Sequence, residues 1–252
     1  MTGTNPVRAN PIVIRSAKSF ANCQQPPQCR SLGVQIHFPD CSHFTAGYID
    51  EMDSNISTIF LPGAGGSAEF WKPVADRTEL PGIFIGWPGL GNEPHDPNVA
   101  GIDDLVGLVL NQMDKPVNIV AQSMGGVVAV KVALAAPKMV NRLVLAVTSG
   151  GLPVAELGGS NWRSNYRKSF PQAANWIAEP VADLSNQIRT IESPTLLLWG
   201  DNDPISPVAV GQRLETLFPY AKLNVLGGAD HDLALTHTEF VAEIIQQHLM
   251  AA

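Results

Sequence analysis

The stretch Val117–Val128, VNIVAQSMGGVV, runs from an apolar strand through a serine and two glycines into an Ala/Val-rich helix. A serine hydroxyl is a weak nucleophile, and to act as one it must be held outward, clear of its own backbone and beside a base. A sharp strand-to-helix turn does this at the cost of backbone strain, which only small neighbours tolerate. Gly125 is the small residue two positions after Ser123, and Ala121 stands two positions before it. The same turn sets the amide of Met124 at a helix N-terminus, aimed where negative charge would develop. A Ser-x-Gly after a strand also occurs as an ordinary turn, so the rest of the chain has to distinguish the two.

Working outward from this stretch, short apolar runs alternate with longer amphipathic segments from about residue 56 onward. Ile56–Leu61, Ile83–Trp87, Val117–Ala121, Leu143–Val147, Thr195–Trp199 and Leu223–Leu226 read as strands, several of them apolar on both faces. Ala68–Arg77, Ile102–Met113, Met124–Ala136, Pro207–Leu217 and Thr238–Met250 read as helices. The alternation predicts parallel strands joined by right-handed crossovers, hence an α/β fold of three layers. Residues 56–149 and 189–252 form its core. The intervening residues 150–188 are too long for one crossover helix. They carry Trp162, Tyr166 and Phe170 four apart, on one helix face, which suits a small helical lid whose rings pack onto the body or line a pocket. Residues 1–55 are an N-terminal extension in which Val34–Phe38 and Phe44–Ile49 could pair as an antiparallel hairpin.

Composition narrows the function classes. With 45% hydrophobic and 15% charged residues the chain has material for a large core and is unlike a disordered one. A net charge of -7 argues against a broad grip on nucleic acid, so a small molecule is the expected partner. No run reaches the roughly 18 apolar residues that span a bilayer. The three cysteines, Cys23, Cys29 and Cys41, are odd in number and contain no Cys-x-x-Cys pair. Free thiols in a reducing, cytoplasmic setting are therefore expected, with no metal site. Residues 1–39 contain no Asp or Glu, a faint transit-like bias that their prolines interrupt. Oligomeric state leaves no mark on the sequence.

Three further loops follow predicted strands. Pro62-Gly63-Ala64-Gly65-Gly66 follows the first, and its glycines allow a backbone amide to come close to a reacting group. No Lys-Ser/Thr follows them, which argues against a phosphate-binding loop. Thr195–Pro207, TLLLWGDNDPISP, ends a strand in Asp201 and Asp203, and Leu226–Leu233, LGGADHDL, places His231 in a loop before the last helix. For Asp203 a structural alternative is to cap the helix near Pro207, a task for which Ser206 is better placed. His37, His43 and His95 precede Ser123, and His237 and His248 lie in or beside the final helix, where a solvated face is the ordinary reading.

Together these motifs resemble the α/β-hydrolase superfamily, in its serine-nucleophile branch of compact esterase-like members. A-Q-S-M-G-G is similar to its nucleophile elbow, with Ala121 in place of the first glycine. Pro62–Gly66 resembles its oxyanion loop with Pro62 replacing histidine, and Trp87-Pro88-Gly89-Leu90-Gly91 resembles its P-G-x-G turn. The resemblance covers about residues 56–252. It implies a three-layer α/β-hydrolase fold and catalysis by Ser123, Asp203 and His231, with Asp201 the rival acid. It also implies an oxyanion hole from the Ala64 and Met124 amides, and no cofactor. Trp162, Tyr166 and Phe170 are the pocket candidates. Ester cleavage through an acyl-enzyme is the implied activity. Thioester and carbon–carbon bond hydrolysis, and a receptor that keeps the triad, are the alternatives.

Overall fold

A computed structural model describes residues 56–251, Glu79 apart. The expected hairpin and the three cysteines lie outside the described residues. Six parallel strands form one sheet: β1 Thr58–Leu61, β2 Gly82–Phe84, β3 Val117–Gln122, β4 Val140–Ala146, β5 Thr195–Gly200 and β6 Ala221–Leu226, in the order β2-β1-β3-β4-β5-β6. Every residue of β1, β3 and β5 is buried, because helices cover both faces. At the edge, β6 is partly exposed.

The helices are α1 Lys72–Thr78, α2 Ile102–Leu110, α3 Met124–Ala135, α4 Arg163–Ser169, α5 Ser185–Ile188, α6 Val208–Leu217, α7 Leu233–Thr236 and α8 Thr238–Leu249. One layer joins α1, α7 and α8, and the other joins α2, α3, α5 and α6. This is the three-layer arrangement that strand–helix alternation implies, with an all-parallel sheet among the described residues. The chain runs β1, β2, then back across β1 to β3. The order reverses between β1 and β3, and in open α/β sheets ligands bind at the strand C-termini beside such a reversal.

Local differences from the sequence reading have physical causes. Ala68–Arg77 is divided into a 3-10 turn, Ala68–Trp71, and α1, with Pro73 in the first turn of α1, where a missing amide costs nothing. The second strand stops at Phe84 rather than Trp87. There the Trp87 amide turns to the Gly66 carbonyl (2.8 Å) and its indole to the Pro62 carbonyl (2.8 Å). β4 starts three residues earlier than expected, where the Asn141 amide donates to the Asn118 side chain at 2.8 Å. Between β4 and β5 lie α4, α5 and two 3-10 turns, Val154–Leu157 and Asn175–Ala178.

α3 is apolar apart from Lys131, which pairs with Asp103, and nine of its twelve residues are buried. Its two glycines make that possible. A Cβ on Gly125 would stand 2.3 Å from the Pro62 carbonyl oxygen, and one on Gly126 would stand 2.4 Å from the Thr148 hydroxyl. The start of α3 is thereby drawn against the ends of β1 and β4, which brings the loops that follow these strands to one place.

Candidate active site

Ser123 links β3 to α3 with φ 51° and ψ −121°, a left-handed backbone rare for a residue with a side chain. Three hydrogen bonds hold it there. Its amide donates to the Ala146 carbonyl at 2.9 Å, and its carbonyl accepts from the Gly126 amide (3.0 Å) and the Thr148 hydroxyl (2.5 Å).

His231, in the loop after β6, has one ring nitrogen on each side of a hydrogen-bonded chain. Nε2 lies 2.9 Å from the Ser123 Oγ and Nδ1 lies 2.7 Å from the Asp203 Oδ2. An ionised carboxylate only accepts, so Nδ1 donates to Asp203 and Nε2 is left to accept the serine proton. The Asp203 side chain has no solvent exposure, whereas that of His231 is 18% exposed. The other Asp203 oxygen accepts the amides of Ile205 (2.7 Å) and Ser206 (3.1 Å), which fixes the carboxylate within its own turn. Asp201 is exposed and engaged elsewhere, accepting the Gly228 amide at 2.7 Å. Ser206 caps no helix: α6 has no side-chain cap, and the Ser206 hydroxyl donates to the Thr148 carbonyl at 3.2 Å.

Facing Ser123, the loop after β1 is pinned by its carbonyls. The Trp71 indole donates to the Leu61 carbonyl (2.9 Å), the Trp87 indole to that of Pro62 (2.8 Å) and the Gly66 amide to that of Gly63 (3.1 Å). The Gly63 carbonyl belongs to the same peptide plane as the Ala64 N–H, so fixing one directs the other. Among the described residues neither the Ala64 nor the Met124 amide has a hydrogen-bond acceptor. For Met124 this follows from its place at the first position of α3.

Two cavities meet at Ser123. The larger, about 700 Å³, is lined by Ala64, Phe70, Trp162, Tyr166, Phe170 and Leu235, with His231 at its floor. The smaller, about 340 Å³, lies toward Met124 and Val147. Trp162 and Tyr166 meet edge to face at 5.5 Å, and Tyr166 and Phe170 meet at 5.0 Å. Tyr166 is buried. Its hydroxyl donates to the Ala64 carbonyl at 2.8 Å and accepts the Gly91 amide at 2.9 Å, so it joins two glycine-rich loops. Burial pushes the phenol above its ordinary pKa despite the Gly91 amide, so the hydroxyl stays a donor.

Several contributors carry no sequence signal of their own. The Gln122 amide donates to the His231 carbonyl at 3.2 Å, tying the histidine loop to β3. A Cβ on Gly63 would stand 2.2 Å from the Gln122 Oε1, so the glycine leaves room for that side chain. His248 does not lie on a solvated face. It is half-buried, with an Nε2 that has no partner among the described residues. No group of three or more metal-ligating side chains occurs among the described residues, and no helix there is long and apolar enough to cross a membrane.

Comparison with known proteins places these features in one family. The model of the alpha/beta hydrolase family matches residues 58–244. A 2-hydroxy-6-oxononadienedioate/2-hydroxy-6-oxononatrienedioate hydrolase of Cupriavidus pinatubonensis is 24% identical over 232 residues, covering 69% of this chain and 80% of its own. A pimeloyl-[acyl-carrier protein] methyl ester esterase of Legionella pneumophila is 20% identical over 239 residues, covering 80% and 98%. The crystal structure of naproxen esterase from Bacillus subtilis superposes with a TM-score of 0.63 at 18% identity, covering 78% of this chain and 84% of its own. The chain belongs to the alpha/beta hydrolase family.

Proposed function

We propose that this protein is a serine hydrolase that cleaves a carboxylic ester of small to medium size through an acyl-enzyme intermediate. The observation that carries the reading is the continuous chain from Ser123 Oγ through His231 to Asp203, with bonds of 2.9 and 2.7 Å. In this mechanism Ser123 attacks the carbonyl carbon while His231 Nε2 takes its proton. Asp203 holds the Nδ1–H tautomer and balances the imidazolium that forms. The Ala64 and Met124 amides donate to the oxyanion, a task for which two unengaged donors fixed in place suit them. His231 then returns the proton to the leaving alcohol, and water, activated by the same ring, releases the acid. Residues 150–188 act as a lid over the larger cavity, with Trp162, Tyr166 and Phe170 as its wall. The cysteine and charge pattern of the sequence supports a cytoplasmic setting and a small-molecule substrate.

A fluorophosphonate probe tests the reading. Wild type should label and Ser123→Ala should not, and turnover of any accepted p-nitrophenyl ester should fall about 10⁴-fold in Ser123→Ala and His231→Ala. Equal labelling of both proteins, or none, overturns it and leaves a receptor of this fold. Carbon–carbon bond hydrolysis is the second reading, favoured by similarity to the Cupriavidus pinatubonensis hydrolase. A dienone substrate and a thioester, assayed beside the esters, separate the three chemistries.

A further inference from the structure

The smaller cavity differs from the larger in its charge. Its walls are largely apolar, with Met124, Val147, Leu152 and Ile177 among them, and it opens on Ser123. Into it also faces Arg163, the first residue of α4. The Arg163 Nε is buried and has no hydrogen-bond partner among the described residues. No carboxylate there lies within ion-pairing distance of its guanidinium. Its central carbon sits 5.1 Å from the Trp162 ring centre, a stacking contact that restricts the plane of the fork. Glu179 also borders this cavity, but it is exposed, and a solvated charge acts more weakly than one in an apolar wall. The larger cavity has no lysine or arginine in its lining, and Asp232 stands exposed at its edge.

A buried guanidinium N–H without an acceptor is costly, and arginine always carries its charge. A carboxylate meets both needs at once, accepting from Nε and a neighbouring Nη as a two-pronged pair. We propose that the smaller cavity is an anion subsite, and that the substrate is an ester bearing a free carboxylate on the half that enters it. The neutral, apolar half occupies the larger cavity, which keeps the carboxylate away from Asp232. The proposal rests on the serine-hydrolase reading for its chemistry but not for its binding.

The test uses matched ester pairs on the full chain. The acyl arm compares the p-nitrophenyl monoester of glutaric acid with p-nitrophenyl valerate. The alcohol arm compares the butyrate ester of 3-hydroxybenzoic acid with phenyl butyrate. In one arm the wild type should favour the acidic member at least tenfold in kcat/KM. Arg163→Gln should remove that preference through KM, and Arg163→Lys should retain part of it. An acid-to-neutral ratio at or below one in both arms, or a ratio unchanged in Arg163→Gln, overturns the proposal. Binding is read separately, by calorimetry of monomethyl adipate with Ser123→Ala and with the Ser123→Ala, Arg163→Gln double variant. A loss of at least tenfold in affinity supports the subsite even if no ester is turned over. Equal affinity, or no binding to either, rejects it. Failure of fluorophosphonate labelling with this binding difference intact removes the hydrolase reading alone.

Discussion

The hydroxyl of Tyr166, on α4, donates at 2.8 Å to the carbonyl of Ala64, in the glycine-rich loop that follows β1. The same oxygen receives the Gly91 amide, so removing it leaves a donor and an acceptor unpaired in a buried setting. Such a loss costs about 1–3 kcal/mol, and each 1.4 kcal/mol of it expressed in the transition state is about tenfold in rate. Tyr166→Phe should therefore lower kcat about tenfold or more with a smaller change in KM. Steady-state kinetics beside a thermal melt check this, and an unchanged kcat with a lowered Tm would reduce Tyr166 to a purely structural bond.

Asp203 and Asp201 lie two residues apart on one turn, yet only Asp203 meets the histidine. Asp203→Asn should lose about 10³-fold or more in kcat, because the amide can no longer hold the same imidazole tautomer or balance its charge. Asp201→Asn should change kcat only a few-fold, since its bond to Gly228 is exposed. The reverse order in two folded variants would move the acid role to Asp201.

Ser123 occupies backbone angles that suit glycine, and such strain costs of order 1–3 kcal/mol. Ser123→Gly relieves it, offset by about 0.4–1 kcal/mol from the looser unfolded chain. Ser123→Gly should thus be more stable than Ser123→Ala by about 1 kcal/mol, both being inactive. Urea unfolding of the two variants measures the difference, and a more stable alanine variant would deny that the elbow is strained.

His248 gives the fold a pH dependence. Burial, and secondarily the nearby Arg142, depress its pKa below the ordinary 6.5, against a weaker opposing effect of the backbone at Leu143 and Pro194, which favours the protonated ring. Above 6.5 the ring is neutral folded or unfolded and has no effect. As pH falls below 6.5 the unfolded chain takes up the proton first, so stability declines until the folded pKa is passed. His248→Leu should flatten this part of the profile in urea titrations between neutral and mildly acid pH. An identical slope in wild type and variant would assign the decline to other groups.

The sequence made the strands legible because each is a short apolar run between turn residues, too short for a buried helix and rich in β-branched or aromatic side chains. The order Ser123, Asp203, His231 was equally plain, since each follows a strand and ends in a loop with glycine. Element ends were less so. Nothing local tells that the Trp87 indole is drawn to Pro62, which shortens β2, and a 3-10 turn before Pro73 has the same composition as a helix. Between β4 and β5 the pieces span seven residues or fewer, too short for periodicity to set them. Tyr166 reads there as one ring of an apolar stripe, and its polar end becomes informative only when Ala64 and Gly91 are beside it. Gln122 and Arg163 matter for the same reason, through partners or cavities distant in sequence.

The completely buried strands have a consequence for timing. β3 and β5 have bonded neighbours on both sides and no exposed face, so their amides exchange hydrogen with solvent only when the whole molecule opens. The short helices between β4 and β5 have many exposed positions, and their amides exchange through local openings of lower free energy. One chain thus keeps two clocks. The segments proposed to roof Ser123 should therefore exchange their amides faster than the strands of the sheet that carries it.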